Sequence, residues 1–227
     1  MAGADMDLTG AATLTASDPR AHKWTVQLLS ALQYMAEKNM VHRDIKPANV
    51  LLRHDNIKLA DMGFATPLTD DNPALTTFIG TPGYMAPEVL LRRRHCYPVD
   101  MWGVGMVIFH MLHDTTPFWP GSTASPDDYK NERWIEQETQ NVLTGTFVTP
   151  IAAPVVASGC GDLIRRLLHT DPARRLTVFD AFRHPWIISD GVVLQNTRNK
   201  VKSELRNHAI ATDRDIGRRL QILAKDL

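Results

Sequence analysis

One short run, His42-Arg43-Asp44-Ile45-Lys46-Pro47-Ala48-Asn49, gathers most of the side chains able to do chemistry. Within eight positions it sets a carboxylate at Asp44, a cation at Lys46 and a carboxamide at Asn49. A second carboxylate follows in Asp61-Met62-Gly63, and a third run reads Gly80-Thr81-Pro82-Gly83-Tyr84-Met85-Ala86-Pro87-Glu88. Other chemistries find little support. None of the nine histidines falls in a metal-ligand arrangement such as His-Glu-x-x-His. The two cysteines, Cys96 and Cys160, stand far apart without Cys-x-x-Cys spacing, which argues against a zinc site or a disulfide framework and favours a reducing compartment.

The elements that must position these residues are legible in outline. Ser17-Asp18-Pro19 combines a capping side chain with a proline suited to the first helical turn. Trp24, Leu28, Leu32 and Met35 follow at helical spacing, and Asn39 can close the helix. Val50-Leu51-Leu52 and Ile57-Lys58-Leu59-Ala60, around His54-Asp55-Asn56, predict two short strands and a turn. From Phe64 to Met85 the Thr, Pro and Asp content predicts an irregular, mobile loop. Asp100 is read as opening a helix, Met101 to Leu112, that is apolar on nearly every side and so belongs inside a protein. Further helices are predicted from Asn131 to Leu143, Asp162 to Leu168 and Thr177 to Arg183, the last with Asp180 as a capping partner of Thr177. The 25 Lys and Arg balance the 25 Asp and Glu, so overall charge makes no case for nucleic acid or an anionic membrane. The start of the chain lacks the basic flank and apolar block of a signal peptide, and the longest apolar run is too short to span a bilayer. A soluble, cytoplasmic protein is the expectation.

The three runs, in this order, resemble the catalytic loop, metal-binding turn and substrate-binding segment of eukaryotic serine/threonine protein kinases. The resemblance covers roughly residues 3 to 188 and looks nearest to calcium/calmodulin-dependent kinases, whose domain end is similar to Phe182-Arg183-His184-Pro185-Trp186-Ile187. It implies a mainly α fold, the kinase C-terminal lobe over 1–188, with a short β-hairpin carrying the catalytic and metal-binding loops. It implies transfer of the γ-phosphate of ATP to serine and threonine hydroxyls of protein substrates, with Mg²⁺ as the metal. Asp44 is then the base for the acceptor hydroxyl, and Lys46 contacts the transferred phosphate. Asn49 and Asp61 are the oxygen ligands of magnesium, and Leu51 lies beneath the adenine. Thr81, Gly83 and Tyr84 belong to the substrate segment, with Thr81 bonded to Asp44 and Lys46. Glu88 pairs with Arg175, Asp100 holds the catalytic-loop backbone, and His42 packs. Met62 stands where the family usually has phenylalanine, an adaptable side chain for the same apolar slot.

Ahead of His42 the family carries a Gly-rich loop and a strand lysine. This chain has only Gly3, Gly10, Lys23 and Lys38 there, so the expectation is a kinase without its N-terminal lobe. The alternative is a catalytically inactive, kinase-like fragment that works as a protein-binding or regulatory module. Residues 189–227 are expected to form a helical extension, with Ile216, Leu220, Leu223 and Leu227 on one face after a cap at Thr212, open to a regulatory partner. Arg43, directly before the base, resembles the arginine of kinases whose loop is ordered by phosphorylation. Thr77, three residues before Gly80, is the phosphosite candidate, with Thr76 second.

Overall fold

Helix α3, Pro98–His113, runs through the middle of the molecule, and every residue from Val99 to Phe109 is buried. Such a helix has no polar stripe to turn outward and must be enclosed on all sides. It begins two residues before Asp100, because Pro98 fits the first turn, where no amide donor is needed. That shift sets Asp100 within the first turn. The computed structural model describes residues 6–120 and 131–189, so the predicted extension from residue 190 onward, with its Thr212 cap and leucine face, lies outside the described residues.

Two helices enclose α3. Helix α1, Pro19–Glu37, is capped by the Asp18 carboxylate, which accepts the Arg20 amide at 2.9 Å. Trp24, Leu28, Leu32 and Met35 are all buried on its inner face. Helix α6, Cys160–Leu167, lies across another side of α3. The remaining α-helices among the described residues are α2 (Pro87–Leu90), α4 (Glu132–Thr144), α5 (Ala153–Ala157), α7 (Val178–Phe182) and α8 (Pro185–Ser189). Helix α4 is bounded as its sequence suggests, by an Asn131 cap and by Gly145 in the left-handed region at φ 68°. In α7 the Thr177 hydroxyl accepts the Asp180 amide and donates to the Asp180 carboxylate. The cap thus closes through the two side chains.

Strands are few and short. β3 (Val50–Arg53) and β4 (Asn56–Leu59) form an antiparallel hairpin, with Arg53 opposite Asn56. Its two turn residues, His54 and Asp55, have φ of 47° and 59°. Two residues with positive φ make the tight hairpin turn that suits strand twist, usually at the expense of an Asn-Gly pair. Here α1 holds it instead. Lys23 pairs with Asp55 at 2.9 Å, Trp24 Nε1 donates to the Asp55 carbonyl, and Gln27 bonds Asn56. β1 (Met6–Asp7) adds to the other edge of β3, and β2 (Met40–Val41) pairs with β5 (Thr66–Pro67). No helix among the described residues is long and apolar enough to cross a membrane.

Two glycines let α3 approach its neighbours. A Cβ on Gly103 would lie 2.5 Å from Ile45 Cβ and 2.8 Å from the Ile45 carbonyl oxygen; one on Gly105 would lie 2.8 Å from the Leu168 side chain. Alanine is favoured over glycine in a helix by about 1 kcal/mol, but overpacking against a fixed backbone costs about 1–3 kcal/mol. Gly103→Ala is therefore expected to lower the midpoint of denaturant unfolding, and more than Gly105→Ala, which meets a side chain that can yield. An unchanged or raised midpoint for Gly103→Ala would contradict this packing.

Candidate active site

The His42–Asn49 loop is held from below by α3. Asp100 is buried, its Oδ2 accepting the His42 amide and its Oδ1 the Arg43 amide, both at 2.8 Å. Burial pushes the Asp100 carboxyl upward, and the two amide bonds and the nearby positive charge oppose it. Arg43 takes a φ of 71°, a left-handed conformation that costs energy for a non-glycine residue and must be held by its surroundings. His42 adds a second layer. Its Nδ1 accepts the Asp44 amide at 3.3 Å, which leaves Nε2 to donate to the Ala60 carbonyl at 3.1 Å.

Asp44 is the centre of the cluster. Its Oδ1 accepts from the Thr81 hydroxyl at 2.7 Å and the Thr81 amide at 3.1 Å. Its Oδ2 accepts from Asn49 Nδ2 at 2.9 Å and faces Lys46 Nζ at 2.8 Å. Lys46 also donates to the Thr81 hydroxyl at 2.5 Å. Burial pushes the Asp44 carboxyl upward, yet hydrogen bonds from Lys46, Thr81 and Asn49, with the Lys46 charge, outweigh it and hold the carboxyl below its ordinary value. Asp44 is therefore ionised, an acceptor rather than a donor.

Asn49 and Asp61 are brought together through the hairpin. The Ala60 amide donates to the Asn49 carbonyl at 2.9 Å, so the residue before Asp61 is pinned to Asn49. Asp61 sits at φ 61° and accepts the Gly63 amide at 3.2 Å. Among the described residues, neither the Asn49 side-chain oxygen nor Asp61 Oδ2 takes part in a hydrogen bond. Leu51 is half-buried in β3, between Asp7 and Lys58 on the neighbouring strands. No group of three His, Cys, Asp or Glu among the described residues is placed to hold a metal by itself. The two cysteines are free and buried, their thiols pushed up to about 12, chiefly by burial.

The segment above Asp44 is shaped by a turn. The Tyr84 amide donates to the Thr81 carbonyl at 3.1 Å, with Pro82 second and Gly83 third at φ 85°. Proline followed by a residue of positive φ is the pattern of a type II turn, and glycine fills that third place without strain. A small cleft between loop and turn is lined by Asp44, Ile45, Thr81, Tyr84, Met85 and Gly103. The segment is anchored by Glu88 and Arg175, paired at 2.6 Å and 2.9 Å through two guanidinium nitrogens. Arg175 also donates to the carbonyls of Pro98, His169 and Thr170, so all five of its N–H groups are used, and it lies over Trp102.

Two features were not legible in the sequence. The Arg43 guanidinium is committed to the Phe64 carbonyl and the Thr66 hydroxyl, at the start of the 64–85 loop. Glu138, on helix α4, is 5% exposed, and its Oε1 has no hydrogen-bond partner. Burial raises its carboxyl to about 7. Burial first, and the Glu138 charge second, push Tyr84 up to about 12. Thus α4 places an acid beside Tyr84.

The comparisons with known proteins agree on one family. The description "Protein kinase domain" matches residues 4–187. Serine/threonine-protein kinase ULK3 of Mus musculus is 37% identical over 166 residues, which is 71% of this chain and 32% of that protein. The same-named protein of Homo sapiens is 35% identical over the same shares. The calcium/calmodulin-dependent protein kinase type II subunit delta of Oryctolagus cuniculus is 32% identical over 205 residues, 82% of this chain and 36% of that protein. The chain spans about a third of the length of these curated relatives.

Two outcomes follow from the electrostatics. Breaking a buried pair leaves an uncompensated charge, so Glu88→Gln is expected to cost about 3–5 kcal/mol in urea unfolding. Lys23→Ala, which removes the exposed pair to Asp55, is expected to cost about 1 kcal/mol or less. Comparable losses for the two variants would contradict the assignment. For Glu138, the folded-state value lies above the unfolded 4.5, at about 7. Its stabilising contribution is present below pH 4.5 and is lost as pH rises to about 7. The difference between wild type and Glu138→Gln, which cancels other titrating groups, should therefore shift in favour of the variant across that window, by on the order of 3 kcal/mol. A difference that does not vary with pH would show that Glu138 is ionised normally in the folded protein.

Proposed function

Because the chain belongs to the protein kinase family, we propose that residues 1–188 are the catalytic C-terminal lobe of a serine/threonine protein kinase. Its substrates are ATP and the serine or threonine hydroxyls of proteins. The observation that carries this reading is the Asp44 cluster: a buried carboxylate kept ionised by Lys46, Thr81 and Asn49 beneath an open turn. Phosphoryl transfer is driven by positioning and charge neutralisation, with one group oriented toward the attacking oxygen. Asp44 takes the proton of the acceptor hydroxyl as that oxygen bonds phosphorus and the bond to the leaving diphosphate breaks. Lys46 meets the charge of the phosphate in transfer. Thr81 ties both residues to the segment that receives the peptide, next to Gly83 and Tyr84, so the base and the acceptor share one support.

The residues also suit magnesium. Hard cations want oxygen, and the two uncommitted oxygens, on the Asn49 amide and on Asp61, supply one neutral and one charged ligand. Two protein ligands fit an ion shared with nucleotide phosphates. When bound, magnesium would neutralise phosphate charge; Asn49 and Asp61 would hold it, with Leu51 beneath the adenine. Thr77, with Thr76 beside it, is the site assigned to regulatory phosphorylation of the 64–85 loop.

In a preparation that transfers phosphate to serine- and threonine-containing peptides, Asp44→Asn is expected to lower turnover by about 10²–10⁴-fold. Nucleotide affinity should stay close to wild type, since Asp44 acts on the acceptor. Phosphopeptide formation and nucleotide titration measure the two effects. Wild-type turnover in the variant would remove Asp44 from the role of base.

A further inference from the structure

Four acids are buried among the described residues: Asp44, Glu88, Asp100 and Glu138. The first three are matched. Asp44 has Lys46, Thr81 and Asn49, Glu88 has Arg175, and Asp100 has two backbone amides. Glu138 makes no hydrogen bond or ion pair with a described residue, and its Oε1 is shut off from water. A carboxyl so placed is neutral, because an ionised one needs donors or solvent. Its surroundings offer few of either. One turn away on α4 stand Trp134, Ile135, Asn141 and Val142, all uncharged. Asn141 already donates to the Phe118 carbonyl and accepts from Gln137. Helix α2, packed against α4, has one charged side chain, Glu88, and Arg175 holds it.

The exception is Tyr84. Its side chain is half-buried and near enough for the Glu138 charge to act on the phenol, and its hydroxyl has no partner among the described residues. A donor without an acceptor thus lies beside an acceptor without a donor. Tyr84 is also tied to the catalytic cluster. Its amide closes the Pro82-Gly83 turn on the Thr81 carbonyl at 3.1 Å, and the Thr81 hydroxyl reaches Asp44 at 2.7 Å.

We propose that ionised Glu138 is the acceptor for the Tyr84 hydroxyl, a clasp between α4 and the Gly80–Glu88 segment that one proton opens. This deepens the proposed function and rests on it only in taking that segment as the seat of the peptide. The geometry described above is the open form, with both groups unbonded. When Glu138 loses its proton, the Tyr84 hydroxyl donates to the carboxylate and the ring moves toward α4. Tyr84 keeps its own proton throughout, its phenol being held up at about 12 by burial and the acid. The turn follows the ring, so Glu138 acts through Tyr84 as a positioning residue for Thr81.

The test is an NMR titration of the full chain, labelled with ¹³C at the Glu carboxyl and Tyr phenol carbons and with ¹⁵N at the amides, without nucleotide or peptide. Burial alone places the Glu138 carboxyl at about 7. A hydrogen bond to the ionised form favours it, so the midpoint is expected about one pH unit lower, a tenfold change in proton affinity. The Tyr84 phenol carbon and the Thr81 amide should shift with that same midpoint. Asp44, held below its ordinary value, titrates outside this range. Tyr84→Phe removes only the hydroxyl; it should return the Glu138 midpoint to about 7 and leave the Thr81 amide unmoved. Glu138→Gln, which mimics the neutral acid, should leave both the Tyr84 and Thr81 signals flat. An identical Glu138 midpoint in wild type and Tyr84→Phe, or a Thr81 amide that still titrates in Glu138→Gln, overturns the proposal. Because no turnover is measured, an inactive chain can still show the clasp and an active enzyme can lack it.

Discussion

Everything at the site depends on one buried carboxylate accepting two backbone amides. Asp100 sits in the first turn of α3 and fixes the amides of His42 and Arg43, the second of which stands in a left-handed conformation. Without that support, the loop would relax toward ordinary backbone angles, and Asp44 would leave the position where Lys46, Thr81 and Asn49 converge. The cost of burying the Asp100 charge is therefore part of the cost of the site. A carboxylate bonded to backbone suits the task better than one bonded to side chains, since it fixes the chain itself rather than a rotamer.

The same helix supports the loop in a second, apolar way. One turn after Asp100, Gly103 lets Ile45 press directly on the helix backbone. Between them, Trp102 stacks on Phe118 and lies under Arg175, the partner of Glu88. Three residues within one turn of α3, Asp100, Trp102 and Gly103, thus serve three separate attachments: the His42–Asn49 loop by charge, the same loop by close packing, and the Gly80–Glu88 segment through the Glu88–Arg175 pair. Loop and segment share a foundation, which explains how the Thr81 hydroxyl keeps hydrogen-bond distance to Asp44 across 37 residues of chain.

What the sequence made legible is what local chemistry decides. Helix α1 was readable because a capping aspartate, a proline and a 3.6-residue period coincide between Asp18 and Met35; α4 because Asn131 and Gly145 mark its ends. The three motif runs are contiguous, so their residue types and order could be read directly. The two-residue strands β1, β2 and β5 could not, because no alternation exists in two residues. Helix α3 was placed three residues late, since proline at a first turn competes with aspartate as a start signal. Glu138 lies three residues after Ile135 and four before Val142, on the inner face of α4, but an acidic side chain reads as solvated by type, so its burial was missed. The partners of Arg43, Phe64 and Thr66, lie 21 and 23 residues further on, a contact that no local pattern encodes.

The enclosure of α3 has a consequence for synthesis on the ribosome. Its coverage comes from both directions along the chain: Leu14 and Ile45 precede it, and Leu168 follows Leu112 by ~56 residues. At about 5–20 residues per second, the second half of that coverage arrives roughly 3–11 s after the helix is made. During that interval the most apolar stretch of the protein stands half-clothed, with Gly105 and its neighbours facing water. The nascent chain is therefore a natural client for chaperones that recognise apolar helices, and the rate of translation between α3 and α6 bears on how much of it reaches the folded state.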